Sequence, residues 1–195
     1  MKPMFVFVIL LAVLFTWLHF FGKSPRHHAT SPDSLYLEHL ARSAELAVNP
    51  PSGSEEEHVL VQKVMNAFNP FSYGNVTLKF PEAYAETFYF RDAFHIFTDR
   101  DTLVAYMQRT AQQSPGVTFE FEAPARNGID FYLPWTMILP SRDGSESQRS
   151  LGVSRLRFNE QGLVIFHQDY WDSADVLVPR VPVANGIIEL VRRRF

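Results

Sequence analysis

From Met4 to Phe21 every residue is apolar or aromatic except Thr16 and His19. As a helix this run is about 27 Å long at roughly 1.5 Å per residue, enough for the hydrocarbon layer of a bilayer. Trp17, Phe20 and Phe21 suit its headgroup boundary. The pattern predicts a single-pass membrane anchor over residues 1–22. A cleaved signal peptide is the rival, but HFFGKSPRHHATS offers no good A-x-A cleavage site. Lys2 on one side balances Lys23 and Arg26 on the other. The positive-inside count is nearly tied, and the reading leans only slightly to a cytoplasmic domain.

Residues 23–54 read as a polar linker followed by a first amphipathic helix. Asp33 or Ser34 caps it, Leu37, Leu40, Ala41, Ala44 and Val48 form one stripe, and Asn49-Pro50-Pro51 stops it. Ser54 and Glu57 have capping-box spacing ahead of a helix that aligns Val61, Val64, Met65 and Phe68. A short helix is expected around Pro81 to Thr87. Phe88–Phe97 is aromatic and β-prone, a strand. Thr98-Asp99-Arg100-Asp101 starts a helix with Leu103, Tyr106, Met107 and Thr110 inward, ended by Pro115-Gly116.

The pattern then turns to period two. Val117, Phe119, Phe121 and Ala123 alternate with polar residues. Asn127-Gly128 marks a tight turn, and Ile129–Leu139 returns, with Pro134 demanding an edge or a bulge. Leu151–Phe158 and Leu163–Trp171 flank the four-residue loop Asn159–Gly162. Helices followed by antiparallel strand pairs predict an α+β domain, a curved sheet with helices on one face. Residues 181–195, ending Arg192-Arg193-Arg194-Phe195, read as a basic C-terminal helix.

Composition narrows the function classes. The 195 residues carry a net charge of −3, which argues against nucleic-acid binding. With no cysteine there is no disulfide frame, thiol nucleophile or thiolate metal site. No H-E-x-x-H, glycine-rich phosphate loop or G-x-S-x-G elbow is present, so neither a metal nor a cofactor is expected.

Candidate chemistry lies at the sheet. If Phe158 opposes Leu163, then Leu156 opposes Ile165, Ser154 opposes His167 and Gly152 opposes Asp169. Leu163, Ile165, His167, Asp169 and Trp171 then share one face, and Gly152 leaves room for a ligand beside Asp169. A carboxylate in an apolar hollow is a usable proton donor or acceptor, and a histidine two residues away can orient it. The alternative is a purely structural His167–Asp169 pair. Asp92 shares the aromatic face of Phe90 and Phe94, which costs free energy unless it is paired, so it is either functional or tied to a local partner. The candidates for proton transfer are therefore Asp92, His167 and Asp169, and Phe90, Phe94, Phe119, Trp135, Ser154 and Trp171 would hold a small apolar ligand. Arg155, Arg157, Phe166, Gln168 and Tyr170 point to the outer face.

FYFRDAF followed by TDRDTLVAYMQ, the tryptophan of YLPWTM and the run GVSRLRFNEQGLVIFHQDYWDSA resemble the nuclear transport factor 2-like superfamily in its SnoaL-like branch, over residues 55–180. The final run is similar to a bacterial subgroup without established function. The resemblance implies a cone-shaped curved antiparallel sheet with helices on its concave face, an enclosed apolar cavity and often a homodimer through the outer sheet face. In the superfamily's ketosteroid isomerases a strand carboxylate moves the proton and a Tyr and a protonated Asp hold the oxyanion. Asp92 falls at the base position, but Ser154 replaces that Asp and no tyrosine takes the other place. The resulting expectation is a tethered domain binding a small hydrophobic molecule. The alternatives are a cofactor-independent lyase, isomerase or hydrolase and a dimeric scaffold.

Overall fold

The computed structural model describes residues 32–141 and 146–173. The chain divides into two compact units, Met1–Leu35 and Tyr36–Phe195, and the second carries every described strand. The expected anchor, the first part of the linker and the basic C-terminal helix lie outside the described residues. Among those described, no helix is long and apolar enough to cross a membrane.

Helix α1 spans Pro32–Leu46, α2 Glu55–Phe68 and α3 Tyr73–Ala83. Strands β1 (Tyr84–Arg91) and β2 (Ile96–Asp99) precede α4 (Arg100–Gln113). Then come β3 (Thr118–Phe121), β4 (Ala125–Asn127), β5 (Asp130–Leu139), β6 (Gln148–Phe158) and β7 (Val164–Trp171). The caps were legible: Ser54 Oγ accepts the Glu57 N–H at 3.2 Å and Asp99 the Thr102 N–H at 2.9 Å, each satisfying an orphan donor of the first turn.

The strands form one curved, open sheet in the order β2-β1-β7-β6-β5-β3, with β4 also on β5. It is mixed rather than antiparallel, because β1 and β7 run parallel. Two local expectations also change. The strand over 88–97 is a hairpin turning at residues 92–95, and Tyr84–Thr87 belongs to β1, not to a helix. Pro81 sits inside α3, which Ser72 caps. Pro134 lies where β5 passes from pairing β4 to pairing β3, so its missing N–H falls at the gap between them.

A bulge sets the faces of β7. Phe158 pairs Val164, but Arg157 pairs Phe166, leaving Ile165 as the extra residue. Val164 therefore faces the core with Leu156 and Phe158, and Ile165 turns to the opposite side. From there Leu156 opposes His167, Ser154 opposes Asp169 and Gly152 opposes Trp171. His167, Asp169 and Trp171 do face inward, but their expected partners are displaced by two residues.

Helices α2, α3 and α4 cover the inner face. Leu60, Val64, Phe80 and Leu103 pack there against Phe90, Leu133 and Leu156. Helix α1 lies on the other face, so the helices are not confined to one side. Its packed residues are Tyr36, His39, Leu40 and Ser43, so of the expected stripe Leu40 packs and Val48, past the helix end, lies against the core, whereas Leu37 is 61% exposed and Ala41 and Ala44 are also exposed. The sheet beneath explains the choice. Asp130 accepts from Arg155 Nε at 2.9 Å and Arg157 Nε at 2.6 Å. Arg157 Nη1 donates to the Leu40 carbonyl at 2.6 Å and to Ser43 Oγ at 3.0 Å, and Arg155 Nη1 to the Tyr36 hydroxyl at 3.1 Å. Two guanidiniums under the helix need acceptors, and α1 presents them. This helix covers the part of the outer face around Arg155, Arg157 and Phe166, while Tyr170 stays half-exposed.

Burial acts to raise the Asp130 carboxyl, and the two guanidiniums overcome it and hold it below the usual range. Its contribution is therefore present above the unfolded carboxylate value, about 3.9, and is lost as pH falls through the lower folded value. Asp130→Ala, which strands both guanidiniums, is expected to cost about 3 kcal/mol in urea unfolding. The triple change Asp130→Ala, Arg155→Leu, Arg157→Met is expected to cost less than the single one. The reverse order would refute the clamp.

Candidate functional site

Between the inner sheet face and α2 and α4 lies a cavity of about 270 Å³. Its walls are mostly aromatic and aliphatic: Phe68 from α2, Met107 from α4, Phe119 from β3, Leu133 and Trp135 from β5 and Trp171 from β7. Phe94, in the β1–β2 turn, is 50% exposed and meets Trp171 edge-on with ring centroids 5.9 Å apart. The two mark where the cavity reaches solvent.

Two carboxylates, Asp92 and Asp169, line this space, and their hydrogen bonds distinguish them. Asp92 Oδ1 accepts the backbone N–H of Phe94 at 2.7 Å and of His95 at 2.6 Å, and Oδ2 accepts the Tyr106 hydroxyl at 3.0 Å. Both oxygens are engaged. Burial, then the Asp92 charge, pushes the Tyr106 phenol up, so it remains a donor. Asp92 thus builds the turn that carries Phe94. It is not on a strand beside Phe90 and Phe94, as expected, but just past the end of β1.

Asp169 heads a chain of donors. Its Oδ1 accepts from Ser154 Oγ at 2.5 Å and lies 2.8 Å from His167 Nε2. Trp135 Nε1 donates to Ser154 Oγ at 2.9 Å. On the far side of the imidazole, His167 Nδ1 lies 2.7 Å from the Tyr84 hydroxyl. Burial, then the Asp169 charge, raises the Tyr84 phenol well above its ordinary value. It keeps its proton, and His167 Nδ1 is the acceptor beside it. His167 Nδ1 is the one described acceptor within reach of the Tyr84 hydroxyl, so we assign the hydroxyl as its donor and place the ring proton on Nε2, donated to Asp169 Oδ1. The described hydrogen bonds to the Asp169 carboxylate all end on Oδ1, leaving Oδ2 as the edge it offers the cavity.

His167 itself does not line the cavity. It is 1% exposed, stacked on Tyr84 and against Phe90, whose centroid is 4.6 Å away. The structure therefore brings Asp92, Asp169, Trp171, Phe90, Phe94, Phe119, Trp135 and Ser154 to one hollow, with His167 behind Asp169. The sequence does not single out Tyr84 or Tyr106. Its pattern puts Tyr84 in a helix, and only the parallel pairing of β1 with β7 brings that residue to the histidine. Gly152 corrects another expectation. A Cβ there would overlap the Trp135 indole, so the space is filled by tryptophan rather than left for a ligand. Among the described residues no group of three or more His, Asp or Glu side chains is arranged to hold a metal.

The model of the SnoaL-like domain matches residues 61–167, more than half of the chain. This chain belongs to the SnoaL-like family, within the nuclear transport factor 2-like fold. Solved structures agree on the fold. A protein from Jannaschia sp. CCS1, provisionally named a SnoaL-like polyketide cyclase, is 14% identical with TM-score 0.54, over 66% of this chain and 96% of its own. One from Acidithiobacillus ferrooxidans, provisionally named a polyketide cyclase, is 14% identical with TM-score 0.53, over 69% and 99%. A nuclear transport factor 2-like protein of unknown function from Burkholderia pseudomallei is 15% identical with TM-score 0.53, over 64% and 96%. No curated protein sequence matches the chain.

Two measurements check this geometry. A phenol raised on folding stabilises the SnoaL-like domain fully below the unfolded value near 10, and that contribution is lost as pH rises toward the folded value. Between pH 9 and 11.5 the wild type should therefore lose more stability in urea unfolding than Tyr84→Phe; equal losses would place Tyr84 in water. Gly152→Ala should cost about 1–3 kcal/mol by overpacking against Trp135 and shift tryptophan fluorescence. An unchanged spectrum would contradict the contact.

Proposed function

We propose that this SnoaL-like domain binds a small apolar molecule in the cavity and holds the molecule's polar group at Asp169. The carrying observation is an apolar hollow into which one carboxylate presents an oxygen with no described protein partner. A hollow of about 270 Å³ exceeds the roughly 150 Å³ that suffices for benzene and falls just below the usual range for drug-sized ligands, about 300–1,000 Å³. A one- or two-ring molecule fits. In this reading the apolar run 4–21 tethers the domain to a membrane, where such molecules concentrate.

The hydrogen-bond chain favours a second reading on the same site, proton transfer on the bound molecule. Asp169 Oδ2 would be the base, and Ser154 and His167 would hold the carboxylate in position. Asp92 is the weaker candidate, because its lone pairs already serve the turn and Tyr106.

Mass spectrometry of the purified full-length chain should reveal a co-purifying apolar species that is lost in Trp171→Ala. Repeated absence of any such species, with no uptake of added hydrophobic probes, would reject the binding reading. If the domain moves a proton, exchange of an acidic C–H of the bound ligand for deuterium, measured at saturating ligand, should fall at least a hundredfold in Asp169→Asn. Unimpaired exchange would leave binding alone. Extraction of the full-length chain from membranes by salt rather than detergent would refute the tether.

A further inference from the structure

The charge of the cavity wall bears on what enters it. Among the described lining residues there is no lysine, arginine or histidine. The carboxylates are Asp92, whose oxygens already hold two backbone N–H groups and the Tyr106 hydroxyl, and Asp169, which keeps one oxygen for the hollow. No lysine or arginine is described in contact with Asp169, and the His167 ring that touches it is assigned a single proton, on Nε2, by its hydrogen bond from Tyr84. The remaining wall includes aromatic surface: Phe94, Phe119, Trp135 and Trp171 meet one another edge-on or tilted, with centroids 5.9–6.3 Å apart. A carboxylate at one side of an aromatic enclosure attracts a positive charge twice, through its own charge and through the ring faces. The same wall disfavours a carboxylate or phosphate, because its described lining offers an anion no lysine, arginine or histidine and already carries two carboxylates.

Resting on the binding reading above, we infer that the cavity takes a hydrophobic amine, with its ammonium on Asp169 Oδ2 and its apolar body among Phe119, Trp135 and Trp171. This goes beyond shape. Volume and apolar walls admit alcohols, ketones and amines alike, and the distribution of charge separates them. It also gives the donor chain a purpose. Ser154 and His167 occupy Oδ1, so that only Oδ2 is available to the guest, and its direction is fixed by two bonds before binding.

The test uses three probes of one shape on the full-length chain at neutral pH, followed by calorimetry: 2-naphthylmethylamine, 2-naphthylmethanol and 2-naphthoate. The amine should bind on the order of tenfold or more tighter than the alcohol, and the carboxylate should show no measurable binding. Asp169→Asn should weaken the amine on the order of tenfold and weaken it more than the alcohol, so that the preference for the amine disappears. Trp171→Leu, at the half-open mouth, should weaken the amine more than the alcohol, which keeps the argument testable if the aspartate variant does not fold. Equal affinity for amine and alcohol, or preference for naphthoate, overturns this inference and leaves the apolar-binding reading standing. Failure of all three probes overturns both.

Discussion

A carboxylate at the edge of an apolar hollow is costly unless its oxygens are hydrogen-bonded, and Asp169 imposes that requirement on four strands. Ser154 and His167 satisfy it directly. Each then needs a partner of its own: Ser154 accepts the Trp135 indole N–H, and His167 accepts the Tyr84 hydroxyl. The residues come from β5, β6, β7 and β1, which are neighbours in the sheet. One buried charge thus fixes the rotamers of an indole, a hydroxyl, an imidazole and a phenol. The cavity wall and the rigid end of the sheet are parts of the same network.

That network depends on the bulge in β7. Strict alternation from Leu163 would put Ile165 inside with His167 and Asp169, as the sequence suggests. One extra residue lets Val164 fill the core and still brings His167, Asp169 and Trp171 inward. The period of two from His167 onward was therefore legible, and the cross-strand partners were not. The loop Asn159–Gly162 sets the register only as far as Phe158, and nothing in the local composition marks Ile165 as unpaired. The long-range pairing of β1 with β7 was invisible for a related reason. It joins segments some eighty residues apart, and Phe88, Tyr89 and Phe90 are buried in succession, as in a strand covered on both faces.

Helices were legible where side chains cap them. Ser54 and Asp99 start α2 and α4 by satisfying first-turn donors, and those helices fall near their expected places. Helix α1 also exists ahead of Asn49-Pro50-Pro51, but it starts at Pro32 and takes in Asp33 and Ser34, the expected caps, and of the expected stripe within the helix Leu40 alone packs. Hydrophobic periodicity assumes that a helix packs by its apolar side. Here the sheet offers Arg155 and Arg157 around Asp130, and unpaired guanidinium N–H groups under a helix would cost more than leaving Leu37 in water. The face with Tyr36, Leu40 and Ser43 therefore turns inward, and Leu37, Ala41 and Ala44 turn outward.

Hydrogen-bond demand also separates the two aspartates of the cavity, which residue type alone treats as equals. Asp92 has three donors shared between its two oxygens, so both are already engaged; its work is to hold the turn that carries Phe94. Asp169 has two donors on one oxygen and a second oxygen with no described protein partner, in a residue that lines the apolar cavity. A side chain's capacity for chemistry is what remains after its structural bonds are counted, and that count exists only once the chain is folded. Composition could put both carboxylates near aromatics. Which one can meet a ligand was decided by two backbone N–H groups at Phe94 and His95, and by a tyrosine hydroxyl contributed from α4.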